Sequence, residues 1–142
     1  MARSGERKTQ ILQTLAQMLE GPSAERITTA ALAARIGVSE AALYRHFKGK
    51  ADMFAGLIDF VEDTLFTLIN KIAAETPDGA LQAQQIVGVL LGFADKNPGM
   101  TRVMIGDALV NEDERLQLRM NQFVERTEMA LRQSWKIAAS QG

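Results

Sequence analysis

The 142-residue chain contains no cysteine, a single histidine and only three prolines. The lack of cysteine excludes disulfides, thiolate metal sites and cysteine nucleophiles, and is typical of a reducing compartment. With His46 alone, neither a pair of histidine metal ligands nor a catalytic relay with a spare histidine can form. The longest run of apolar or glycine residues, from Ile86 to Ala94, has nine residues, about half of what a membrane span needs. We therefore expect a cytoplasmic protein with no cofactor.

The residues that are present suit one folded unit with uneven charge. Hydrophobic residues make up 46% of the chain and charged residues 23%, a composition typical of folded globular proteins. The net charge of −1 conceals an asymmetry: residues 1–50 carry eight Lys or Arg against four acids, whereas residues 51–142 carry eight against thirteen. The first part therefore has a net charge of +4 and the second of −5. One end of the molecule should attract polyanions such as DNA, and the other should repel them.

Glycine and proline fall almost entirely between stretches of helical periodicity, which predicts an all-α fold. The seven predicted helices cover residues 6–20, 29–36, 40–47, 51–74, 80–95, 100–110 and the segment from 113 onward. The fourth helix has a long apolar stripe that includes Leu57, Leu65 and Leu68, and the fifth is apolar on nearly all sides, which predicts central burial. We predict two parts, a DNA-binding domain over residues 1–50 and a regulatory, partner-binding helical domain over residues 51–142.

Residues 28–50 have the spacing of a helix-turn-helix. Ala33 lies four residues before Gly37, where two helices approach closely, and Gly37 supplies the positive φ of the turn. Thr28 and Ser39 are expected to cap the two helices. Leu43 and Phe47, four residues apart, should then point inward, which leaves one face of the second helix open.

That open face suits the major groove of DNA. Two alanines let the helix backbone approach base edges, and Arg45 can reach a guanine edge or a phosphate. The flanking polar side chains suit the sugar-phosphate backbone. The predicted DNA-binding residues are Thr28, Thr29, Ser39, Ala41, Ala42, Tyr44, Arg45, His46, Lys48 and Lys50. The alternative, an αα-corner without a nucleic-acid partner, explains the spacing but not the positive charge.

Residues 27–50 resemble the DNA-binding domain of the TetR family of regulators. The segments that begin at Gln10, Phe60, Leu90 and Asn97 (QILQTLA, FVED, LLGF and NPGMTR) are similar to the nucleoid-occlusion branch of that family, whose members bind DNA and the division protein FtsZ. The resemblance implies a homodimer in the full-length family, held by two further helices from each subunit. Because this chain ends at Gly142, we expect a monomer or a loose dimer.

The resemblance also implies a partner site between the fourth and fifth helices. Phe60 lies away from the apolar stripe of the fourth helix, while Gly88 and Gly92 leave a flat strip on the fifth. Internal helix packing is the alternative explanation for these glycines. The implied partner is the FtsZ C-terminal tail, an acidic peptide with apolar anchors. The positions expected to contact it are Phe60, Leu68, Lys71, Val89, Gly92, Lys96 and Asn97. Leu68 stands where that branch implies a basic residue, and Lys71 is one turn along.

Three functions are compatible with these patterns. The resemblance favours a DNA-binding, nucleoid-associated inhibitor of FtsZ ring assembly, and it implies no catalysis. The alternative is a ligand-responsive TetR-type repressor, which a polar, roomy pocket between the fourth and seventh helices would favour. The third is a helical adaptor or enzyme that never touches DNA, against which the charge asymmetry argues. Tight packing of the fourth and seventh helices, with an open groove by Phe60 and Gly92, would favour the FtsZ inhibitor.

Overall fold

A computed structural model describes residues 4–21 and 27–142 of the chain, in which helices are joined by short turns and loops. The helices are α1 (Ser4–Leu19), α2 (Thr29–Ile36), α3 (Glu40–Tyr44), α4 (Lys50–Glu75), α5 (Gly79–Lys96), α6 (Pro98–Met104) and α7 (Glu114–Ser140), with a 3₁₀ helix, Asp107–Leu109, before α7. No strand occurs in those ranges, so the all-α prediction is confirmed. Of the residues in the charge count, Arg3, Glu25 and Arg26 lie outside the described ranges. No helix in the described part is both long and apolar enough to cross a membrane.

One apolar core runs through the three N-terminal helices and the body. Most of the buried side chains of α4 and α7 are those that the helical periodicity predicts, and they meet the inner faces of α1 and α3. Met53, Phe66 and Ser134 are buried as well, outside the predicted stripes. The largest fully buried side chains are Ile11, Leu15, Leu32, Leu43, Met53, Phe54, Leu57, Ile58, Leu65, Ile69, Ile86 and Met120. Leu68 departs from the predicted stripe, because its side chain is 41% exposed.

Close backbone contacts fix the body against α1. Gly99 of α6 lies directly on the carbonyl of Ala16, where a Cβ atom would overlap the oxygen. Arg102 of α6 adds a hydrogen bond of 2.7 Å from Nη1 to the carbonyl of Leu19. Because α1 also packs on α2 and α4, the position of the N-terminal helices relative to the body is set by tertiary contacts as well as by the chain connection.

The other end of the body is closed by a polar cluster between α5 and α7. The hydroxyl of Ser134 donates to Oε1 of Gln82 at 2.8 Å, and Nε2 of Gln82 donates to the carbonyl of Thr76 at 2.8 Å. Gln141 accepts a hydrogen bond from the backbone N–H of Gly79 at 2.9 Å. Both Gln82 and Ser134 are buried, so these bonds satisfy polar groups that would otherwise be costly to remove from water.

The structure corrects three predictions about the helices. Regular α3 ends at Tyr44 and not near Phe47, because the chain turns there with two N–H groups bonded to the carbonyl of Leu43. The sixth helix ends at Met104, after which Gly106 has a φ of 84° and breaks the helical path toward residue 110. The fifth helix is not buried on all sides, since Leu81, Val87 and Leu91 are exposed.

Candidate nucleic-acid interface and partner groove

The turn between α2 and α3 has the hydrogen bonds that the sequence predicts. Thr28 Oγ1 accepts from the N–H of Ala31 at 3.0 Å, and Ser39 Oγ accepts from Ala42 at 3.2 Å. Gly37 has a φ of 85° and donates its N–H to the carbonyl of Ala33 at 2.9 Å. A side chain at position 37 would be strained there. Both predicted caps and the glycine turn are therefore confirmed.

The recognition face is the outward side of α3 and of the turn after it, comprising Ala41, Ala42, Tyr44, Arg45, His46 and Lys48. Leu43 and Phe47 are buried beneath it, as predicted. Arg45 and Lys48 are exposed, and His46 is half-buried. The face thus combines small residues along the helix with cationic side chains beyond it, which is the arrangement that a major-groove helix requires.

Two residues of the predicted set are held together at the edge of this face. Thr29 Oγ1 donates to Oε2 of Glu40 at 3.0 Å and lies 3.3 Å from the hydroxyl of Tyr44. These contacts join the first turn of α2 to α3 and orient the half-exposed Tyr44 ring. Glu40 was absent from the predicted set. Its position in the first turn after the Ser39 cap was the available signal, since carboxylates favour helix N-termini.

Lys50 is directed toward the body. Its Nζ atom lies 2.7 Å from Oε2 of Glu112, and the two side chains are only 19% and 11% exposed. The same amine lies 5.9 Å from the centre of the Phe54 ring. An acidic residue at the start of a helix is ordinarily explained as a solvated cap. Asp113 does cap α7, but Glu112 is committed to Lys50.

Lys8 places a further cation near the recognition face, although it is not among the predicted DNA-binding residues. Nζ of Lys8 on α1 is 5.2 Å from the centre of the Phe47 ring, so the ammonium group sits beside the turn that follows α3. The position of Lys8 in the basic N-terminal segment was the available signal, but its contact with Phe47 depends on how α1 packs.

We call the surface of α4 and α5 that carries Phe60, Leu68, Val89, Gly92 and Lys96 the partner groove, after the binding site that the sequence predicts there. A contact at each end fixes the antiparallel alignment of the two helices. The rings of Phe60 and Phe93 are 6.4 Å apart at one end, and Thr76 Oγ1 donates to Oε1 of Gln85 at 2.9 Å at the other. Phe60 is nearly half-exposed, as the sequence predicts.

The glycine strip of the partner groove is open. A Cβ atom added at Gly88 or Gly92 would meet nothing within 4 Å, so internal packing does not explain either glycine. Lys71 and Lys96 are exposed, and Val89 is half-buried. Asn97 ends α5, and its amide donates to the carbonyl of Phe93 at 2.9 Å. Its side chain therefore shapes the end of the helix.

The middle of α4 packs closely on α7. The rings of Phe66 and Phe123 meet edge to face at 5.4 Å, and the guanidinium of Arg126 covers Phe66 at 3.8 Å from the ring centre. Nη2 of Arg119 lies 2.8 Å from Asp59 Oδ1 and 2.9 Å from Glu62 Oε2. Burial opposes the charge of Arg119, but these two hydrogen-bonded carboxylates outweigh it and raise the pKa of the guanidinium.

An open cleft of about 460 Å³ lies where α4 and α7 begin. Lys48 and Asp52 line it on one side, and Asp113, Arg115 and Arg119 line it on the other. Hydrogen bonds from Arg115 lower the pKa of the Asp113 carboxyl to about 2. Within the cleft Asp113 pairs with Arg115, whereas Arg119 pairs with Asp59 and Glu62 outside it.

Comparison with known proteins matches both parts of the chain. Residues 11–57 match the family described as bacterial regulatory proteins, tetR family, and residues 78–139 match the tetracyclin repressor-like C-terminal domain of SlmA-like proteins. The chain is 57% identical over 127 residues to the nucleoid occlusion factor SlmA of Alteromonas mediterranea, a match that covers 89% of this chain and 65% of the relative.

Other relatives give the same result. The SlmA protein of a Marinomonas species is 54% identical over 131 residues, covering 92% of this chain and 66% of the relative. That of Vibrio vulnificus is 52% identical over 133 residues, covering 93% of this chain and 68% of the relative. The chain spans about two thirds of the length of these curated relatives. It belongs to the TetR family of bacterial regulatory proteins, in the branch whose members are named nucleoid occlusion factor SlmA.

Proposed function

We propose that the chain is a nucleoid occlusion factor, a DNA-binding protein that inhibits FtsZ ring assembly over the chromosome during cell division. It acts in the cytoplasm, at the nucleoid. The observation that carries the proposal is the presence of two open surfaces on one rigidly packed chain, the recognition face on α3 and the partner groove between α4 and α5. The name of the relatives, nucleoid occlusion factor, supports the same function.

The recognition face binds double-stranded DNA with α3 in the major groove. Ala41 and Ala42 allow close approach to base edges, and Arg45 reads a base or contacts a phosphate. The remaining contacts go to the sugar-phosphate backbone and come from Thr28, Thr29, Ser39, Tyr44, His46, Lys48 and Lys50. Of these, Lys50 reaches a phosphate only by leaving Glu112, because its amine is paired there in the free chain.

The partner groove binds the FtsZ C-terminal tail. Phe60 and Leu68 offer apolar surface on α4, and the open strip at Gly92 lets a peptide backbone lie against α5. Lys71 and Lys96 are exposed and attract the acidic residues of the tail. Val89 and Asn97 complete the contact surface. Leu68, half-exposed and apolar, makes this groove less basic and more hydrophobic than a basic residue would.

The test is FtsZ polymerisation followed by light scattering, with this protein added alone and together with a duplex to which it binds. The intact chain should lower the polymer signal, and more strongly with DNA. Gly92→Glu should abolish the inhibition by bulk and by repulsion of an acidic tail, while DNA binding is retained. Gln84→Glu adds the same charge at an exposed site of α5 outside the groove and is the matched control.

Direct binding separates the two surfaces. Fluorescence anisotropy with a labelled tail peptide should show binding by the intact chain and by Gln84→Glu, but not by Gly92→Glu. Arg45→Ala should weaken the binding of labelled DNA and leave the peptide unaffected. Equal peptide binding by Gly92→Glu and the intact chain would refute the groove, and a lack of DNA binding by the intact chain would refute the recognition face.

The cleft at the start of α4 and α7 supports a second candidate, a ligand-responsive repressor. Its volume of about 460 Å³ is sufficient for a small molecule, and its lining is rich in charged groups. A ligand there would act on Lys48 at the end of the recognition face. The close contact between Phe66 and Phe123 packs the middle of the two helices tightly, which favours the first candidate. Release of bound DNA by a small anionic or cationic metabolite, without any effect on FtsZ, would reverse that preference.

A further inference from the structure

An ion pair between Lys50 and Glu112 joins the end of the helix-turn-helix to the loop that precedes α7. The amine and the carboxylate are 2.7 Å apart, and the two side chains are only 19% and 11% exposed. Arg45 and Lys48, the basic residues of the recognition face that come just before Lys50, are exposed. Lys50 is therefore a cation beside the recognition face whose charge is already neutralised within the chain.

The loop before α7 holds Glu112 in position. Gly106 and Asn111 have φ values of 84° and 66°, so the chain turns on both sides of the 3₁₀ helix between them. Glu112 donates its backbone N–H to the carbonyl of Leu109 at 3.0 Å, and the next residue, Asp113, caps α7. Because the backbone around Glu112 is hydrogen-bonded on both sides, its carboxylate is already placed for Lys50, and little further ordering is needed to form the pair.

The Glu112 carboxylate and a DNA phosphate are alternative partners for the Lys50 amine. Both are oxyanions that accept charge-assisted hydrogen bonds from an ammonium group. Lys50 is the first residue of α4 and follows Lys48 of the recognition face by two positions. It therefore lies at the flank of that face, where contacts to the sugar-phosphate backbone are made. While its amine is bound to Glu112, Lys50 cannot neutralise a phosphate.

The burial of the pair makes Glu112 an effective competitor. An ion pair in water contributes little, because the solvent screens both charges. Removing one partner from a buried pair is costly, because the remaining charge is left without compensation. With only 11% of its side chain exposed, Glu112 is closer to the second case. A phosphate that takes Lys50 from Glu112 must therefore compensate for the loss of this pair.

We propose that Glu112 restrains DNA binding by holding Lys50 against the body, and that a DNA phosphate replaces the carboxylate when the recognition face binds. The contact is autoinhibitory: it lowers the affinity for every duplex alike, since a phosphate contact carries no sequence information. It also makes the loop before α7 sensitive to bound DNA, because that loop loses its ion pair with α4 when Lys50 moves. The inference rests on the proposed DNA binding and concerns how strongly the recognition face binds.

Two glutamine substitutions provide a matched pair for this test. Fluorescence anisotropy measures the binding of a labelled duplex that the intact chain has enriched from a random-sequence pool. Glu112→Gln keeps the size of the side chain and removes its charge, so the affinity should rise about five- to tenfold for each subunit bound, as expected for a partly buried ion pair. Glu114→Gln removes the same charge at an exposed position two residues along. It should change the affinity less than about twofold, because solvent screens that charge.

A double variant shows whether the gain in affinity depends on Lys50. Lys50→Gln combined with Glu112→Gln leaves no uncompensated charge at the pair, so the double variant should fold as Glu112→Gln does, which circular dichroism melting checks. The gain in affinity should be lost. The slope of log affinity against log salt concentration should be about one unit flatter for each subunit bound than that of Glu112→Gln, because one phosphate contact is missing.

Four results would overturn the proposal. A folded Glu112→Gln variant with lower affinity would mean that the ion pair positions the recognition face and does not restrain it. Equal gains from Glu112→Gln and Glu114→Gln would show that negative charge in general, and not the pair, is responsible. A gain that persists in the double variant would exclude Lys50 as the group released. A lack of DNA binding by the intact chain would refute the proposed function as well, which distinguishes that failure from the other three.

Discussion

Gly79 and Gly88 of α5 allow a stability test, because replacement by alanine should have opposite effects on the free energy of unfolding at the two positions. At Gly88 an added Cβ atom would meet nothing within 4 Å, and the backbone is ordinary helix. Alanine exceeds glycine in helix propensity by about 1 kcal/mol. Gly88→Ala should therefore raise the free energy of unfolding by about 1 kcal/mol, and the Tm by about 3–4 °C for a chain of this size.

Gly79 is the opposite case, because its Cα faces the backbone of α7. A Cβ atom there would overlap the N–H of Ala138 and lie 2.5 Å from the carbonyl of Ser134. Making room would push α7 away and weaken the hydrogen bonds of Gly79 to Gln141 and of Ser134 to Gln82. Gly79→Ala should lower the free energy of unfolding by about 2–4 kcal/mol, from overpacking and the loss of buried hydrogen bonds.

Urea unfolding followed by circular dichroism measures both effects at one protein concentration, low enough to avoid association. A shift of the midpoint without a change of slope would indicate a true stability difference. A variant Gly79→Ala as stable as the intact chain would refute the close α5–α7 contact. Destabilisation by Gly88→Ala would mean that something covers the glycine strip, against the open groove on which the FtsZ proposal depends.

Three further predictions concern other parts of the molecule. Lys48→Ala should flatten the slope of log DNA affinity against log salt concentration by about one unit for each subunit bound, because one phosphate contact is lost. Filter binding at several salt concentrations measures this slope. Ser134→Ala should cost about 1–3 kcal/mol in urea unfolding, because the buried Oε1 of Gln82 loses its donor. The pKa of Asp113 is lowered to about 2, so the stabilising charge at the start of α7 is fully present above its ordinary value of 3.8 and is lost as the pH falls through 2. In the intact chain, amide hydrogen exchange should show the first turn of α7 losing protection as the pH falls from 4 to 2. Asp113→Asn should remove this pH dependence.

Short-range patterns were sufficient for most of the helix-turn-helix. The caps at Thr28 and Ser39 and the positive φ of Gly37 involve partners within four residues, so residue type and spacing predicted them. The inward positions of Leu43 and Phe47 followed from helical periodicity. The end of α3 was less well predicted, because the turn after Tyr44 keeps Phe47 buried without continuing the helix.

Long-range contacts could not be predicted in the same way. Lys50 and Glu112 are 62 positions apart, and nothing in either local pattern indicates that they pair. The exposed side of α5 is a similar case. The helix is apolar on nearly all sides, so only the placement of α4 and α7 decides which side is covered. The exposure of the apolar side chains of Leu91, Ile105 and Val124 likewise depends on how the helices pack.

The sequence by itself determined the all-helical fold and the helix-turn-helix, because these depend on periodicity, capping and turn chemistry within a few residues. The resemblance of its motifs indicated the family. Tertiary structure alone decided that Lys50 faces Glu112, that Gly88 and Gly92 are open, and that Leu68 lies outside the core. Those outcomes depend on how whole helices pack, and the free energy of packing is summed over many distant contacts that no local pattern contains.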